Sequence, residues 1–267
     1  MINGIVFDLD GTLYLGEKVM KGATEAVSAL EQQGYRIFYF TNNSGKTRQQ
    51  IVDKLNRLGF AADAKNTYCA SYAISAYLAE NKINPIYLIG ADGLRSELAS
   101  RGIKIEDSPA VSAVVIGLDP LFNYGKLATA LEAIDCGAKL IVANTDPAYP
   151  VENNRRLPGC GSIVAAVVAA SGHAPDFHVG KPNTYMLELL CKDHGFSLEE
   201  VCVVGDVPES DMAMAENFQC QGVLFDPEGV FPTFFGKKAK KFNKIISLIR
   251  KGGQENGRTN DGQRKRR

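Results

Sequence analysis

The chain opens with a short apolar run, residues 5–7 (Ile-Val-Phe), that is followed at once by two closely spaced carboxylates, Asp8 and Asp10. Three consecutive large apolar residues favour a strand that is buried on both faces of a parallel sheet. Because the two aspartates are two positions apart, their side chains point to the same side where the strand ends. Two like charges this close are costly unless a cation lies between them, and a divalent cation with oxygen ligands is the simplest solution. A strand that ends in an ordinary Asp-Gly turn is the alternative interpretation.

Strand-like and helix-like segments alternate after this opening. Residues 36–41 form a second apolar, aromatic-rich strand that stops at a polar cluster, and a short strand is predicted near 66–69. Amphipathic helices are predicted around these strands at 23–33, 47–58 and 71–80. Such alternation predicts parallel βαβ units and therefore an α/β fold.

The alternation restarts at about residue 81 and returns to the first pattern near residue 180. We predict strands at 85–89, 113–118 and 139–143 and helices at 93–101 and 126–136. We therefore interpret 81–179 as an inserted domain with its own small sheet, between core segments 1–80 and 180–251. The second core segment carries predicted helices at 183–194 and 211–217 and strands at 201–204 and 221–225.

The C-terminal part of the chain is basic. Residues 237–251 contain lysines and regularly placed apolar residues, and we interpret them as a last edge strand and a helix with solvated lysines rather than as a helix on a membrane surface. Residues 252–267 are polar and glycine-rich, and we expect a disordered tail. Its basic end would allow contact with nucleic acid, but no other part of the sequence supports that contact.

The overall charge and the cysteine pattern restrict the class of protein. The 267 residues include 30 basic and 30 acidic side chains, so no bulk attraction to nucleic acid or to a membrane is expected. No signal peptide is predicted, and the longest apolar run, 163–170, is too short to cross a bilayer. The six cysteines form no Cys-x-x-Cys pair, which is typical of reduced thiols in a cytoplasmic protein rather than of disulfides or a zinc site.

Polar clusters stand at or beside the ends of four predicted core segments. They are Asp8 with Asp10, Thr41 with Asn42, Lys181, and Asp206 with Asp211. Ligands bind at the carboxyl edge of an open parallel sheet, so these groups are expected to converge. Carboxylates, a lysine, a hydroxyl and an amide in one place suit a phosphate that is bridged to a magnesium ion.

Each cluster also has an ordinary structural explanation. Thr41 would serve as a helix cap, Lys181 as part of a solvated surface turn, and Asp206 and Asp211 as loop and cap residues. Four such clusters in this order at strand ends are much harder to produce by accident, so the phosphate site is favoured.

At this point the sequence resembles a known family. The matching segments are Asp8-Leu9-Asp10-Gly11-Thr12, Phe40-Thr41-Asn42-Asn43-Ser44, Gly180-Lys181-Pro182 and Gly205-Asp206 with Ser210-Asp211. They resemble the four motifs of the haloacid dehalogenase (HAD) superfamily, and the long insertion resembles that of class IIA, the NagD and para-nitrophenyl-phosphatase-like subfamily. The resemblance implies a Rossmann-like parallel-sheet core, an inserted α/β cap of the C2 type and magnesium-dependent hydrolysis of phosphate esters.

The resemblance also implies a chemical role for the matching residues. Asp8 would be the nucleophile that forms an aspartyl-phosphate, and Asp10 would protonate the leaving oxygen and then deprotonate the attacking water. Thr41 and the Asn42 amide would bind the phosphoryl oxygens, and Lys181 would neutralise charge on them and on Asp8. The substrate-binding set thus comprises Asn42, Asn43, Lys181, Asn144 and Asp146.

The metal ligands implied in the same way are Asp8, the backbone carbonyl of Asp10, and Asp206. Asp211 would orient neighbouring groups or magnesium-bound water. Asn144 and Asp146 follow the predicted strand 139–143, at the cap edge that by resemblance faces the phosphate pocket. Asp146 would either discriminate substrates by hydrogen bonding or cap a turn before the next proline, and both interpretations stay open.

Two weaker patterns lie in the cap. Residues 158–162 (Pro-Gly-Cys-Gly-Ser) suggest a dinucleotide-binding loop, but Val164 stands where a third glycine belongs and no strand is predicted before the glycines. His173, Asp176 and His178 would form a second metal site, but they lie in a proline-containing loop without helical spacing. Ordinary loop polarity is therefore favoured.

The expected function is cytoplasmic, magnesium-dependent hydrolysis of a small phosphorylated metabolite through an aspartyl-phosphate. Sugar or polyol phosphates, phosphoglycolate, nucleoside monophosphates and pyridoxal phosphate are candidate substrates, and the sequence does not choose among them. The alternatives are phosphoryl transfer to a metabolite acceptor and a catalytically silent phosphate-binding protein. We expect no nucleic-acid or membrane partner, and the resemblance allows a homodimer through the cap.

Overall fold

The structure, a computed structural model, describes residues 1–151 and 155–252. The strands in chain order are β1 (Gly4–Asp8), β2 (Tyr14–Leu15), β3 (Lys18–Val19), β4 (Arg36–Thr41), β5 (Thr67–Cys69), β6 (Ile86–Ile89), β7 (Ala113–Ile116), β8 (Lys139–Val142), β9 (Ala148–Val151), β10 (Arg155–Pro158), β11 (Phe177–His178), β12 (Val201–Gly205), β13 (Gln221–Phe225) and β14 (Lys238–Ala239).

The helices alternate with these strands. They are α1 (Ala23–Gln32), α2 (Arg48–Arg57), α3 (Ala70–Glu80), α4 (Asp92–Ser100), α5 (Tyr124–Asp135), α6 (Cys160–Ser171), α7 (Tyr185–His194), α8 (Ala213–Asn217) and α9 (Phe242–Gly252). A 3-10 turn, Leu198–Glu200, precedes β12, and a π-helical turn, Pro208–Met212, precedes α8. Among the described residues, no helix is long and apolar enough to span a bilayer.

The core is a six-stranded parallel sheet in the order β14-β13-β12-β1-β4-β5. β1 therefore lies in the middle of the sheet, between β12 and β4, as the apolar run at its start predicts. Its side chains alternate between two layers: Ile5 and Phe7 belong to a buried cluster with Leu30 of α1, whereas Val6 belongs to a second cluster with Met186 of α7. The strand is buried on both faces, and this confirms the α/β fold.

A second parallel sheet, in the order β11-β8-β7-β6, is formed wholly by residues between 86 and 178. Three of its strands were expected, and the short β11 is an addition. The inserted cap thus has its own sheet, while the limits 81–179 stay a prediction. An antiparallel hairpin, β9 with β10, precedes α6 in the chain and was not predicted, because the side chains of β10 are exposed and show no apolar alternation.

The C-terminal segment folds as the sequence predicts. β14 pairs with β13 at the edge of the core sheet, and α9 packs on α1 and β13. Phe242, Ile245 and Ile249 of α9 are buried, so its apolar face is covered by the core. α9 extends to Gly252, and the rest of the predicted tail, 253–267, lies outside the described residues.

Candidate active site

The carboxyl ends of the three central core strands meet at one edge of the sheet. β1 ends at Asp8, β4 at Thr41 and β12 at Gly205, and the parallel registers on both sides of β1 align these ends. The polar residues that follow each strand are therefore neighbours in space although they are far apart in the chain. This is the position at which an open parallel sheet binds its ligands.

Lys181 reaches this edge from the end of the cap. Its side chain is 4% exposed, and its ammonium donates to the Asp8 carboxylate and to Asp211 Oδ1, the latter at 2.7 Å. A solvated surface turn at this position, the ordinary explanation considered for the sequence, is therefore wrong. The lysine is a buried cation that lies between two carboxylates.

A third carboxylate completes the cluster. Carboxylate oxygens of Asp8, Asp206 and Asp211 all lie within 4.8 Å of one another, and Thr12 Oγ1 donates to Asp206 Oδ1 at 2.9 Å. Gly11 has φ +96°, and a Cβ at this residue would lie 2.2 Å from Asp206 Oδ2. A glycine is therefore required for the close approach of the β1 loop to Asp206.

The electrostatics of the cluster favour a further cation. Burial raises the pKa of Asp8 to about 7, although Lys181 acts in the opposite direction. Burial also raises the pKa of Asp211 to about 6 and raises the pKa of Asp206. Burial alone would lower the pKa of Lys181, but the charges of Asp211 and Asp8 outweigh it and raise that pKa. Three carboxylates share one ammonium, so the excess negative charge requires protons or a metal ion.

The donor set fits a hard divalent cation. Asp8 and Asp206 offer carboxylate oxygens at one point, and oxygen ligands are those that Mg²⁺ and Ca²⁺ prefer. Asp211 belongs to the same cluster, but both of its oxygens already accept hydrogen bonds, one from Lys181 and one from the Val207 backbone N–H at 3.1 Å. That geometry suits a residue that orients its neighbours better than a metal ligand.

Asp10 lies at the open side of the site. The residue is exposed at its surface, but the surrounding protein partly desolvates its carboxyl group. Desolvation raises the pKa of this carboxyl above its ordinary value, while the charges of Lys54 and Lys181 act in the opposite direction. The Tyr14 hydroxyl lies close enough to the Asp10 carboxyl to lower its pKa, and the Lys54 ammonium lies 4.0 Å from the centre of the Tyr14 ring. Sequence reasoning missed Tyr14 and Lys54, and only the position of Tyr14 directly after the first motif offered a signal.

The loop after β4 is folded by its own side chains. Thr41 Oγ1 accepts from the Asn43 N–H at 3.1 Å, and Asn43 Oδ1 accepts from the N–H groups of Gly45 and Lys46. Thr41 does not cap the next helix, because Thr47 does so through a capping box. Thr41 is 5% exposed, and its hydroxyl is thus part of the loop that bounds the site.

Asn144 and Asp146, the predicted substrate-binding residues of the cap, lie where the cap meets this loop. Asn42 donates to Asp146 Oδ2 at 3.0 Å, and Asn144 donates to the Asn42 carbonyl at 2.6 Å. The structure therefore brings Asn144 and Asp146 to the core loop. Asn144 is buried, and its Oδ1 accepts from the Asp146 N–H at 3.1 Å.

The two weaker cap patterns have structural explanations. A strand does precede the glycines of 158–162, contrary to the prediction, since β10 ends at Pro158. This strand belongs to an antiparallel hairpin and not to a βαβ unit, so the segment does not form a dinucleotide-binding loop. His173 pairs with Asp176 at 3.0 Å. Within 1–151 and 155–252, the only metal-suited cluster of His, Cys, Asp and Glu side chains is that of Asp8, Asp206 and Asp211.

Comparisons with known proteins agree with this geometry. A family model described as haloacid dehalogenase-like hydrolase matches residues 5–104, and a HAD-hydrolase-like model matches residues 178–230. Acid sugar phosphatase of Staphylococcus haemolyticus is 33% identical over 215 residues, which cover 80% of this chain and 81% of the relative. Glycerol-3-phosphate phosphatase of Homo sapiens is 33% identical over 252 residues, with coverage of 84% and 78%.

A solved structure extends the agreement to the whole fold. The 4-nitrophenylphosphatase of Thermotoga maritima superimposes with a TM-score of 0.86 at 25% identity, over 92% of this chain and 97% of that chain. The core sheet, the inserted cap and the order of the motifs are those anticipated from the sequence. The chain belongs to the haloacid dehalogenase-like hydrolases, in their class IIA branch of NagD-like and p-nitrophenyl-phosphatase-like enzymes.

Proposed function

We propose that this chain, a phosphatase of small phosphorylated metabolites by family, transfers the phosphoryl group first to Asp8 and then to water. The observation that carries the proposal is the buried Lys181 ammonium, which bonds to both Asp8 and Asp211. A buried cation beside a nucleophilic carboxylate is well suited to hold the negative oxygens of a phosphoryl group. Such a site works by positioning and charge neutralisation, which phosphoryl transfer chiefly requires.

In the first step, an oxygen of Asp8 attacks phosphorus and the bond from phosphorus to the ester oxygen breaks. Asp10 gives its proton to the leaving oxygen, and its raised pKa favours the protonated form that this step needs. In the second step, water attacks phosphorus, its proton passes to Asp10, and the bond to Asp8 breaks. Inorganic phosphate leaves, and both aspartates return to their starting states.

Two groups of donors would bind the phosphoryl oxygens. The hydroxyl of Thr41, the backbone N–H of Asn42 and the side-chain amide of Asn43 lie in the loop after β4, and the Lys181 ammonium lies next to Asp8. We assign these groups to binding the phosphoryl group. Their rigid placement by the sheet and by the loop's own hydrogen bonds lowers the cost of reorganisation during the reaction.

We assign the metal to Mg²⁺, held by Asp8, the backbone carbonyl of Asp10, and Asp206. The bound ion would neutralise charge on the phosphoryl oxygens and on Asp8. Thr12 fixes Asp206 through the hydrogen bond at 2.9 Å. Asp211 fixes Lys181 and the Val207 backbone, so its contribution is to hold the surrounding groups in place.

The substrate proposal starts from small phosphate monoesters. Sugar or polyol phosphates come first, because two relatives are named for an acid sugar phosphatase and for a glycerol-3-phosphate phosphatase activity. Phosphoglycolate, nucleoside monophosphates and pyridoxal phosphate remain in the panel to be tested. We place the protein in the cytoplasm because Cys69, Cys160 and Cys202 are buried free thiols.

A homodimer through the cap is part of the proposal. Leu121 and Tyr124 of the cap are 77% and 84% exposed, so this part of the cap presents apolar surface that a second copy of the chain could cover. Sedimentation of the purified chain tests the dimer, and Tyr124→Glu should shift it to monomer.

The function is tested by measuring phosphate release from the substrate panel with and without Mg²⁺. We expect release that EDTA stops and added Mg²⁺ restores, and loss of release in Asp8→Asn. The control is Asp53→Asn, an exposed aspartate on α2. Free phosphate in the presence of glycerol indicates hydrolysis, whereas phosphorylated glycerol without free phosphate would contradict it in favour of a phosphotransferase.

A further inference from the structure

The Asn42 side chain is paired with the main chain of Lys181. Asn42 Oδ1 accepts from the Lys181 N–H at 2.8 Å, and Asn42 Nδ2 donates to the Lys181 carbonyl at 3.1 Å. The carboxamide thus satisfies both backbone polar groups of Lys181, as a neighbouring strand would. Because Lys181 is 4% exposed and its ammonium reaches Asp8, this pairing fixes the base of a buried catalytic side chain.

The cap in turn holds Asn42 from the other side. Asp146 Oδ2 accepts from Asn42 Nδ2 at 3.0 Å, and Asn144 Nδ2 donates to the Asn42 carbonyl at 2.6 Å. The same stretch approaches residue 181 through the main chain, since the Gly180 N–H donates to the Ala143 carbonyl at 2.8 Å. Core loop, cap strand end and lysine therefore form one connected set of hydrogen bonds.

The loop that carries Asp146 is itself fixed. The Gly161 N–H donates to the Asp146 carbonyl at 2.9 Å, and the start of α6 closes on the loop so tightly that a Cβ at Gly161 would lie 2.2 Å from the Thr145 carbonyl oxygen. A Cβ at Gly159 would lie 2.3 Å from the Asp146 carbonyl oxygen. The glycines at 159 and 161 thus allow α6 to hold this loop.

From this connected set we propose that Asp146, acting through Asn42, is a positioning residue for Lys181. The charged oxygen of Asp146 holds the Asn42 amide group in the orientation that pairs with the Lys181 backbone. Neither discrimination of substrates nor a simple turn cap describes this contact. The inference rests on the proposed function for its effect on catalysis, but the positioning itself is measurable without turnover.

The first measurement is hydrogen exchange at the Lys181 amide. In Asp146→Ala, we expect this amide to exchange about tenfold faster or more, because the Asn42 carboxamide loses the bond that orients it. Asp146→Asn keeps an oxygen that accepts from Asn42 and should lose less protection than the alanine variant. Asp176→Ala is the matched control, because the Asp176 carboxylate also accepts a hydrogen bond in the cap, in its case from the Leu140 N–H at 2.7 Å, without contacting Asn42.

The second measurement is the kinetics of the same variants with p-nitrophenyl phosphate and with glycerol 3-phosphate. We expect Asp146→Ala to lower kcat by about 10- to 100-fold, by the same factor for both substrates and with little change in KM, since a misplaced catalytic group slows every substrate. Partial recovery of kcat in Asp146→Asn is expected for the same reason.

Two outcomes would overturn the proposal. One is wild-type protection of the Lys181 amide in Asp146→Ala. The other is a change in KM confined to one substrate, which would make Asp146 a substrate contact. If the wild-type protein hydrolysed neither substrate, the proposed function would be wrong, and the exchange rate of the Lys181 amide would still decide the positioning role.

Discussion

The Lys181 ammonium lies against the Asp8 carboxylate although 173 positions of the chain separate the two residues. The contact joins the end of the central core strand to the point where the chain leaves the cap. It places a buried positive charge where the proposed nucleophile must meet a phosphoryl group. The stability and the chemistry of the site therefore depend on the same ion pair.

Lys181→Met should abolish turnover and lower the free energy of unfolding of the metal-free protein by about 3–5 kcal/mol at neutral pH, because it leaves buried carboxylates without their cation. Urea denaturation measures the change. Lys192→Met is the control, since Lys192 pairs with Glu80 at the solvent-exposed surface and its removal should change the free energy of unfolding far less than the loss of Lys181 does. Equal losses in the two variants would contradict the assignment.

Thr12→Val should weaken metal binding without removing a ligand. Thr12 is fully buried and its hydroxyl holds Asp206 Oδ1, so the variant leaves a ligand free to turn away. The Mg²⁺ concentration that gives half-maximal activity should rise by about 10- to 100-fold. Thr24→Val, which removes a hydroxyl that bonds to exposed Glu25, should leave the metal requirement unchanged. An unchanged requirement in Thr12→Val would show that this hydrogen bond has no role in metal binding.

Tyr14→Phe should affect substrates according to their leaving groups. The Tyr14 hydroxyl interacts with the Asp10 carboxyl, so we expect its loss to leave the proposed acid less well oriented. We expect kcat for glycerol 3-phosphate to fall by about tenfold or more, and kcat for p-nitrophenyl phosphate to fall much less, because nitrophenolate needs little protonation. Tyr77→Phe, on the cap side of α3, should change neither value. Equal losses for both substrates in Tyr14→Phe would contradict this role.

The metal-free protein should lose stability as the pH rises toward neutrality. Folding raises the pKa of Asp8 from 3.8 to about 7, so the folded state binds the extra proton between about pH 4 and pH 7. The stability that this proton contributes is fully present below the unfolded-state pKa of 3.8 and is lost as the pH rises through the folded-state pKa of about 7. The thermal midpoint of wild type relative to Asp8→Asn should therefore fall across this interval, and Mg²⁺ should restore it at neutral pH. Parallel midpoints for the two proteins in EDTA would contradict the pKa shift.

The central features of the fold could be predicted because their signals are local. The apolar run of β1 is followed within a few residues by its carboxylates, and Thr41 is the last residue of the apolar strand β4. The rule that parallel strands present their carboxyl ends at one edge then brings separate motifs together. This reasoning explains why Asp8, Lys181 and Asp206 were expected in one place.

The contacts of the cap could not be predicted in the same way. Asn42 and Asp146 are 104 positions apart, and their hydrogen bond depends on how the cap sits on the core. No local pattern encodes that placement, and the sequence left two other roles open for Asp146. The β9–β10 hairpin was missed for a different reason, because the exposed residues of β10 carry no apolar period.

The most direct test of the account is to trap the phosphoenzyme. The reaction with a phosphate monoester is quenched after mixing and treated with borohydride, which reduces an aspartyl-phosphate to homoserine, and the modified position is located by peptide mass spectrometry. We predict homoserine at residue 8 in the wild-type protein and none in Asp8→Asn. Homoserine at another aspartate, or none at residue 8 while the enzyme is turning over, would contradict Asp8 as the nucleophile.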